Sequence, residues 1–275
     1  MKTIRFDKMH GTGNDYVYID AIEEVIENPE VFAVKISDRH FGIGSDGLVL
    51  VMSSGIADFR MRMFNSDGSE SGMCGNASRC VGKYLYEKGL TNKTEIKLET
   101  KSGVKTLLLA VKNNKVEKVS VDMDAPQLEA KQIPVNHLDA MNVPVERMNF
   151  TCVSMGNPHA VTFVDNVAQF DIEGVGRKIE NNPLFPERTN VEFAQIVAPN
   201  RIKMRVWERG SGETLACGTG SCATLVAAVL NGKAERKATI ELLGGEVEVE
   251  WNENTNKITL TGGAEWVFNG EFYIN

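Results

Sequence analysis

Met73-Cys74-Gly75-Asn76-Ala77-Ser78-Arg79-Cys80 and Ala216-Cys217-Gly218-Thr219-Gly220-Ser221-Cys222 are two versions of one phrase. Positions 74 and 217 differ by 143. The same ungapped offset lays Gly13-Asn14 on Gly156-Asn157, residues 59–64 on 202–207, Glu70 on Glu213, Ser71 on Thr214, Ser78 on Ser221 and Gly89 on Gly232. Chance among glycines does not keep apolar, basic, aromatic, acidic and cysteine positions in one register. The chain is read as an internal duplication, each half presenting one Cys-Gly.

Around each phrase the same elements are expected. Residues 59–64 and 202–207 alternate apolar with basic side chains, which is strand patterning. A Gly/Ser-rich loop leads from each strand to the cysteine. A helix then runs over about 76–88, stopping at Gly89, and another over about 219–231, stopping at Gly232. From Cys222 to Leu230 only Thr224 is not apolar. A helix that is apolar all round must be buried, so it belongs inside a curled sheet. Asn28-Pro29 opens a helix to about His40, with Asn as cap and Pro at its first position. The offset predicts a partner helix over 172–180. Strands are expected at 96–98 and 246–251, and a loop at 136–144. The fold class is α+β: two pseudosymmetric domains, each a mixed sheet curled around a central helix.

Composition bounds the function. The chain has 275 residues, 42% hydrophobic and 24% charged, enough for two domains with real cores. Its 30 basic against 37 acidic residues give a net charge of −7, which argues against a nucleic-acid partner. The longest apolar run is too short to span a bilayer, and the amino terminus shows no secretory apolar region. A cytoplasmic location is expected. The cysteines 74, 80, 152, 217 and 222 are odd in number and form no CxxC pair. A disulfide scaffold and the usual zinc spacings are therefore missing, and no metal is expected.

A cysteine at a helix start meets the positive end of the helix dipole and unpaired N–H groups. Both effects favour thiolate and lower the thiol pKa. The same N–H groups can cradle a carboxylate, and a glycine next to the cysteine lets the backbone approach a ligand. Most free cysteines are small buried hydrophobes. That reading holds for Cys80 and Cys222, inside helices, and for Cys152, in an apolar strand. Cys74 and Cys217 instead occupy equivalent loop–helix junctions. Two equivalent thiols facing one cleft suit proton removal from one face of a carbon and delivery to the other. An α-amino acid is the obvious carbon acid, its carboxylate lying at the helix starts. No lysine or phosphate-site context points to pyridoxal phosphate, so no cofactor is expected.

Other groups complete this picture. His159, read as lying in the polar turn 155–159, either orients or tunes a thiol, hydrogen-bonds the substrate, or is an ordinary surface-turn histidine. Glu208-Arg209, just after a strand, offers an ammonium and a carboxylate their counter-charges, although such dipeptides are commonly solvated ion pairs. Asn14, Asn65, Asn157 and Asn190, read as turn residues, can bind either group. Residues 42–47 match GxGxxG, but a helix precedes them and a strand follows, the reverse of the dinucleotide-binding order. Residues 210–220 are glycine-rich without a GK[ST] sequence, so they are not a phosphate-binding P-loop.

With these residues in view, the chain closely resembles the diaminopimelate epimerases along nearly its whole length. The resemblance rests on Met9-His10-Gly11-Thr12-Gly13-Asn14-Asp15-Tyr16, Phe64-Asn65-Ser66-Asp67-Gly68-Ser69-Glu70, Met73-Cys74-Gly75-Asn76 and Gly156-Asn157-Pro158-His159. It continues in Pro186-Glu187-Arg188-Thr189-Asn190, Glu208-Arg209-Gly210-Ser211-Gly212-Glu213-Thr214 and Ala216-Cys217-Gly218-Thr219-Gly220. It implies cofactor-independent interconversion of LL- and meso-2,6-diaminopimelate, in lysine and cell-wall precursor synthesis, with Cys74 and Cys217 as the acid/base pair. It implies that His159 and Glu208 assist. Gly75, Asn76, Gly218 and Thr219 would hold the reacting carboxylate. Asn14, Asn65, Asn157, Asn190, Glu208 and Arg209 would recognise the rest of the substrate, Arg209 at the distal carboxylate. Some members carry glutamine where this chain has Gly47, so any contact there is through backbone.

The resemblance also implies domains over 1–118 plus 263–275 and over 119–262, with a cleft between them. Phe268 stands where some members use a tyrosine in a dimer, so a homodimer is expected. The rivals are a proline or hydroxyproline-type epimerase, a cysteine hydrolase, and a non-catalytic two-lobed amino-acid-binding module. Glu208-Arg209 and the asparagines disfavour the first. A hydrolase leaves the second cysteine unexplained.

Overall fold

The computed structural model describes residues 2–274. The chain forms two compact units. One comprises the residues up to Val121 together with those from Gly262 onward, and the other Asp122–Thr261.

The first unit contains β1 (Lys2–Gly11), β2 (Asn14–Asp20), α1 (Pro29–Ser37), β3 (Gly47–Met52), β4 (Phe59–Asn65), β5 (Glu70–Ser71), α2 (Gly75–Glu87), β6 (Glu95–Thr100), β7 (Gly103–Lys112) and β8 (Lys115–Asp122). The closing strand of the chain, Glu265–Ile274, pairs antiparallel with β1. From there the sheet runs β1, β2, β3, β4, β6, β7, β8. It is parallel only between β2 and β3 and between β4 and β6. In β3, residues 47–51 are all buried, since α1 covers one face of the sheet and α2 fills the other. A strand covered on both faces reads as a continuous apolar run rather than an alternation.

The second unit repeats this plan. It contains β9 (Val143–Val145), β10 (Met148–Ser154), β11 (Pro158–Phe163), α3 (Ile172–Glu180), β12 (Asn190–Ala198), β13 (Arg201–Glu208), β14 (Gly212–Thr214), α4 (Gly218–Leu230), β15 (Lys237–Leu242), β16 (Gly245–Trp251) and β17 (Ile258–Gly262). The order is β9, β10, β11, β12, β13, β15, β16, β17, again parallel at β11–β12 and β13–β15. Moving α1 and α2 along by 143 residues gives the bounds of α3 and α4 residue for residue. Even an ion pair is repeated. Arg62 bonds Glu70 at 2.8 Å, and Arg205 bonds Glu213 at 2.6 Å, each clamping the hairpin before a cysteine. The apolar α4 packs against β10, β11, β12, β13, β15 and β16, with residues 220–228 all buried. The curled sheet around a central helix, expected from sequence, is the observed fold.

Local details differ at α1. Asn28 does not cap through its side chain. It adopts a left-handed conformation, φ 47°, and its carbonyl accepts the N–H groups of Val31 and Phe32. Asparagine visits that region more readily than most residues. The helix ends at Ser37 rather than near His40, because the Asp38 carboxylate accepts the N–H groups of His40 and Phe41 at 2.7 and 2.8 Å. Such an Asx turn competes with the next helical turn.

Candidate active site

In the first unit, Cys74 is the extended residue just before α2, at φ −134° and ψ 123°. The Cys74 thiol donates to Asn14 Oδ1 at 3.5 Å, and the Asn76 amide donates to the same oxygen at 3.4 Å. Asn14 opens β2 and is oriented from behind. Its Nδ2 donates to Asp46 Oδ2 at 2.8 Å, which turns the amide oxygen toward the thiol. Burial, and then the neighbouring Asp15, push the Asp46 carboxyl above its usual range. Asp15 pairs with buried Lys8 at 2.5 Å. On α2, Arg79 is fully buried and donates to Asn76 Oδ1 at 2.9 Å and to Thr12 Oγ1 at 2.7 Å.

Gly75, the first residue of α2, is buried. Asn65 closes β4 and bonds Ser69 at 3.0 Å. Gly47 lies between Tyr16 and Asn65 in the sheet. A Cβ there would stand 2.0 Å from the Phe64 carbonyl oxygen and 2.8 Å from the Tyr16 ring. Glycine is therefore required by packing, and only its backbone is available to a ligand.

In the second unit, Cys217 precedes α4 with nearly the same backbone, φ −126° and ψ 113°. Its sulfur accepts the Gly220 N–H at 3.4 Å and lies 3.5 Å from Thr219 Oγ1. Glu208, the last residue of β13, accepts from the Thr214 hydroxyl. Burial holds the Glu208 carboxyl above its usual range, against the lowering effect of Thr214. The Cys217 thiol is pushed well up by burial first, then by Glu208 and Glu192. This corrects the expectation of a lowered thiol pKa at both helix starts. At Cys217, desolvation and two carboxylates outweigh the helix N-terminus.

His159 is not a surface-turn residue. It lies in β11 with no exposed surface, Nδ1 2.6 Å from Glu192 Oε1 and Nε2 3.1 Å from Asn157 Oδ1. Asn157 donates to Thr219 Oγ1 at 3.3 Å. Asn190, the buried first residue of β12 rather than a turn residue, donates to the Pro158 carbonyl at 2.9 Å and accepts the Arg209 N–H at 3.0 Å. The Arg209 guanidinium reaches the Glu187 carbonyl at 2.9 Å. Gly218 heads α4 and is buried. The structure thus gathers His159, Asn157, Glu208, Gly218 and Thr219 around Cys217, and Asn14, Gly75 and Asn76 around Cys74. Asn65 is bonded within its own turn, and Arg209 is tied to the Glu187 loop.

A profile of the family described as diaminopimelate epimerase matches residues 6–129 and 151–267. The chain belongs to the diaminopimelate epimerase family. It is similar to the diaminopimelate epimerase of Acetivibrio thermocellus, 56% identical over 99% of both chains. It is similar also to that of Methanococcus maripaludis, 54% identical over 98% of this chain and all of the relative. Among solved structures, a PhzF-family phenazine biosynthesis protein of Bacillus anthracis shares the fold over both entire chains, with TM-score 0.74 at 20% identity. So does a probable proline racemase of Agrobacterium radiobacter, with TM-score 0.74 at 17% identity, covering 99% of this chain and 93% of that one.

The other cysteines of this family member are packing groups. Burial raises the Cys80 thiol to about 11 and Cys152 to about 12, and Cys222 is buried within α4. Sequence reading missed Glu192, Asp46 and Arg79. The available signal for Glu192 was one carboxylate inside the apolar strand Val191-Glu192-Phe193. Arg79 carried a similar signal, a charge on a helix face otherwise buried.

Proposed function

We propose that this protein interconverts LL- and meso-2,6-diaminopimelate without a cofactor, with Cys74 and Cys217 as paired acid and base. The observation that carries the reading is the duplicated cysteine at the start of α2 and α4, in a chain matched by diaminopimelate epimerases over nearly its full length. Gly75, Asn76, Gly218 and Thr219 receive the reacting carboxylate on the N–H groups of the two helix starts. Asn14, Asn65, Asn157, Asn190, Glu208, Arg209 and the Gly47 backbone recognise the remaining polar groups.

One thiolate takes the α-proton, and the C–H electron pair passes into the carboxylate-stabilised carbanion. The opposite thiol then gives its proton to the other face and becomes thiolate. The raised Cys217 thiol keeps its proton at rest, so it is the donor in the direction in which Cys74 is the base. His159 and Glu208 tune Cys217.

The same reading places the enzyme in lysine and cell-wall precursor synthesis, in the cytoplasm, as a homodimer. Among the described residues no helix is long and apolar enough to cross a membrane. Phe268, 49% exposed on the closing strand with its ring edge-on to Phe6, is a proposed dimer contact. Sedimentation of the purified protein measures that state directly. The function itself is tested by assaying purified protein on LL-diaminopimelate with no cofactor added, alongside Cys74→Ala and Cys217→Ala. Each variant is expected to fold and to lose at least about a thousandfold in kcat. Substantial turnover in either one removes that cysteine from the acid/base pair.

A further inference from the structure

Glu192 and His159 face each other inside the second unit, Oε1 2.6 Å from Nδ1, with no exposed surface on either side chain. A buried carboxylate is costly unless a specific partner offsets its lost hydration. The fold itself does not ask for one here. The duplicate positions in the first unit, 143 residues earlier, are Tyr16 and Val49. They occupy the same register, Tyr16 beside Gly47 as His159 lies beside Asn190, and Tyr18 beside Val49 as Val161 lies beside Glu192. Val49 fills its position fully buried, with no charge at all. The carboxylate–imidazole pair therefore belongs to one half of the duplication only.

Glu192 also reaches the turn that carries Cys217. A Cβ on Gly220 would lie 2.7 Å from Glu192 Oε1, and Gly220 is the residue whose N–H donates to the Cys217 sulfur. The other carboxylate oxygen, Oε2, is buried with no hydrogen-bond partner among the described residues. The imidazole is thus the polar group that this side chain serves.

We propose that Glu192 is a positioning residue for the Cys217 half of the site, fixing the ring hydrogen of His159 on Nδ1. Where the carboxylate accepts from the ring, the nitrogen facing it carries the hydrogen. Nε2 lies 3.1 Å from Asn157 Oδ1, which can only accept, so it donates there when the ring carries a second hydrogen. Asn157 bonds Thr219, and Thr219 stands beside the Cys217 sulfur. The role resembles that of any buried carboxylate that orients a working imidazole. It rests on the reading of Cys217 as an acid/base thiol.

The test combines ring nitrogen NMR with kinetics. In ¹⁵N-histidine protein without substrate, the His159 signals, assigned with His159→Asn, are expected to show the hydrogen on Nδ1. Glu192→Gln is expected to alter those signals and to lower kcat at least about tenfold, with KM within about threefold. Glu192→Asp, which keeps the charge but withdraws it by one methylene, is expected to recover part of the loss. A hydrogen found only on Nε2 in the parent protein overturns the proposal, whether or not the variants fold. So does Glu192→Gln with parental kcat. A parent protein inactive on diaminopimelate would strike the functional reading instead, so the two failures are distinguishable.

Discussion

Asn14 lies 60 residues before Cys74 in the chain, yet its Oδ1 stands 3.5 Å from the Cys74 sulfur. The contact exists because β2 begins at Asn14 and α2 begins just after Cys74. The amide is turned by Asp46, which takes its N–H and leaves its oxygen for the thiol. The Cys217 sulfur, by contrast, accepts a backbone N–H. The two thiols thus sit in duplicate backbones with different hydrogen-bond settings.

Asn14→Ala removes the acceptor for the Cys74 thiol. Its loss should cost about 1–3 kcal/mol of transition-state stabilisation, or roughly 5- to 150-fold in kcat/KM. Steady-state kinetics against LL-diaminopimelate measure it. A parental kcat/KM would show that the Cys74–Asn14 contact is idle.

The thiols should also differ toward alkylating agents. Thiolate is the reactive form, and burial with two carboxylates raises the Cys217 thiol. At pH 7 Cys217 should react slowly with iodoacetamide, gaining rate steadily above pH 9. Peptide mass spectrometry over a pH series resolves each site. Labelling of Cys217 at pH 7 as fast as an unhindered thiol contradicts the electrostatics described for it.

Glu208 makes a prediction about stability. Its folded carboxyl titrates above its unfolded value. Between those two values the folded state therefore binds more protons than the unfolded state. Stability conferred at low pH is lost as the pH rises through that window. Glu208→Gln removes the ionised form altogether. It should raise Tm by a few degrees at pH 7, leave it little changed at pH 4, and lower kcat about tenfold or more. Thermal melts at the two pH values check the sign, and a lower Tm at pH 7 would contradict it.

Much of the architecture was legible because it is stated twice. The offset predicted a helix over 172–180 from the one at Pro29, and α3 occupies those residues. The apolar run after Cys222 placed α4 inside its sheet. What escaped was decided by partners distant in sequence. His159 reads as a turn residue until β12 brings Glu192, 33 residues later, against its ring. The helix start at Cys217 argued for an easily ionised thiol, but Glu208 and Glu192 arrive from two other strands and reverse the direction. The end of α1 was set by a side-chain turn at Asp38 that no periodicity announces.

Two-base epimerisation without a cofactor transfers two different protons at one carbon. Incubation of the purified protein with LL-diaminopimelate in D₂O, with early turnover followed by α-proton NMR, tests it most directly. Meso product is expected to carry solvent deuterium at the inverted carbon, while recovered substrate stays nearly unlabelled. Meso product that retains the original α-hydrogen would contradict the two-base mechanism, and absence of meso product with reduced thiols would contradict the substrate.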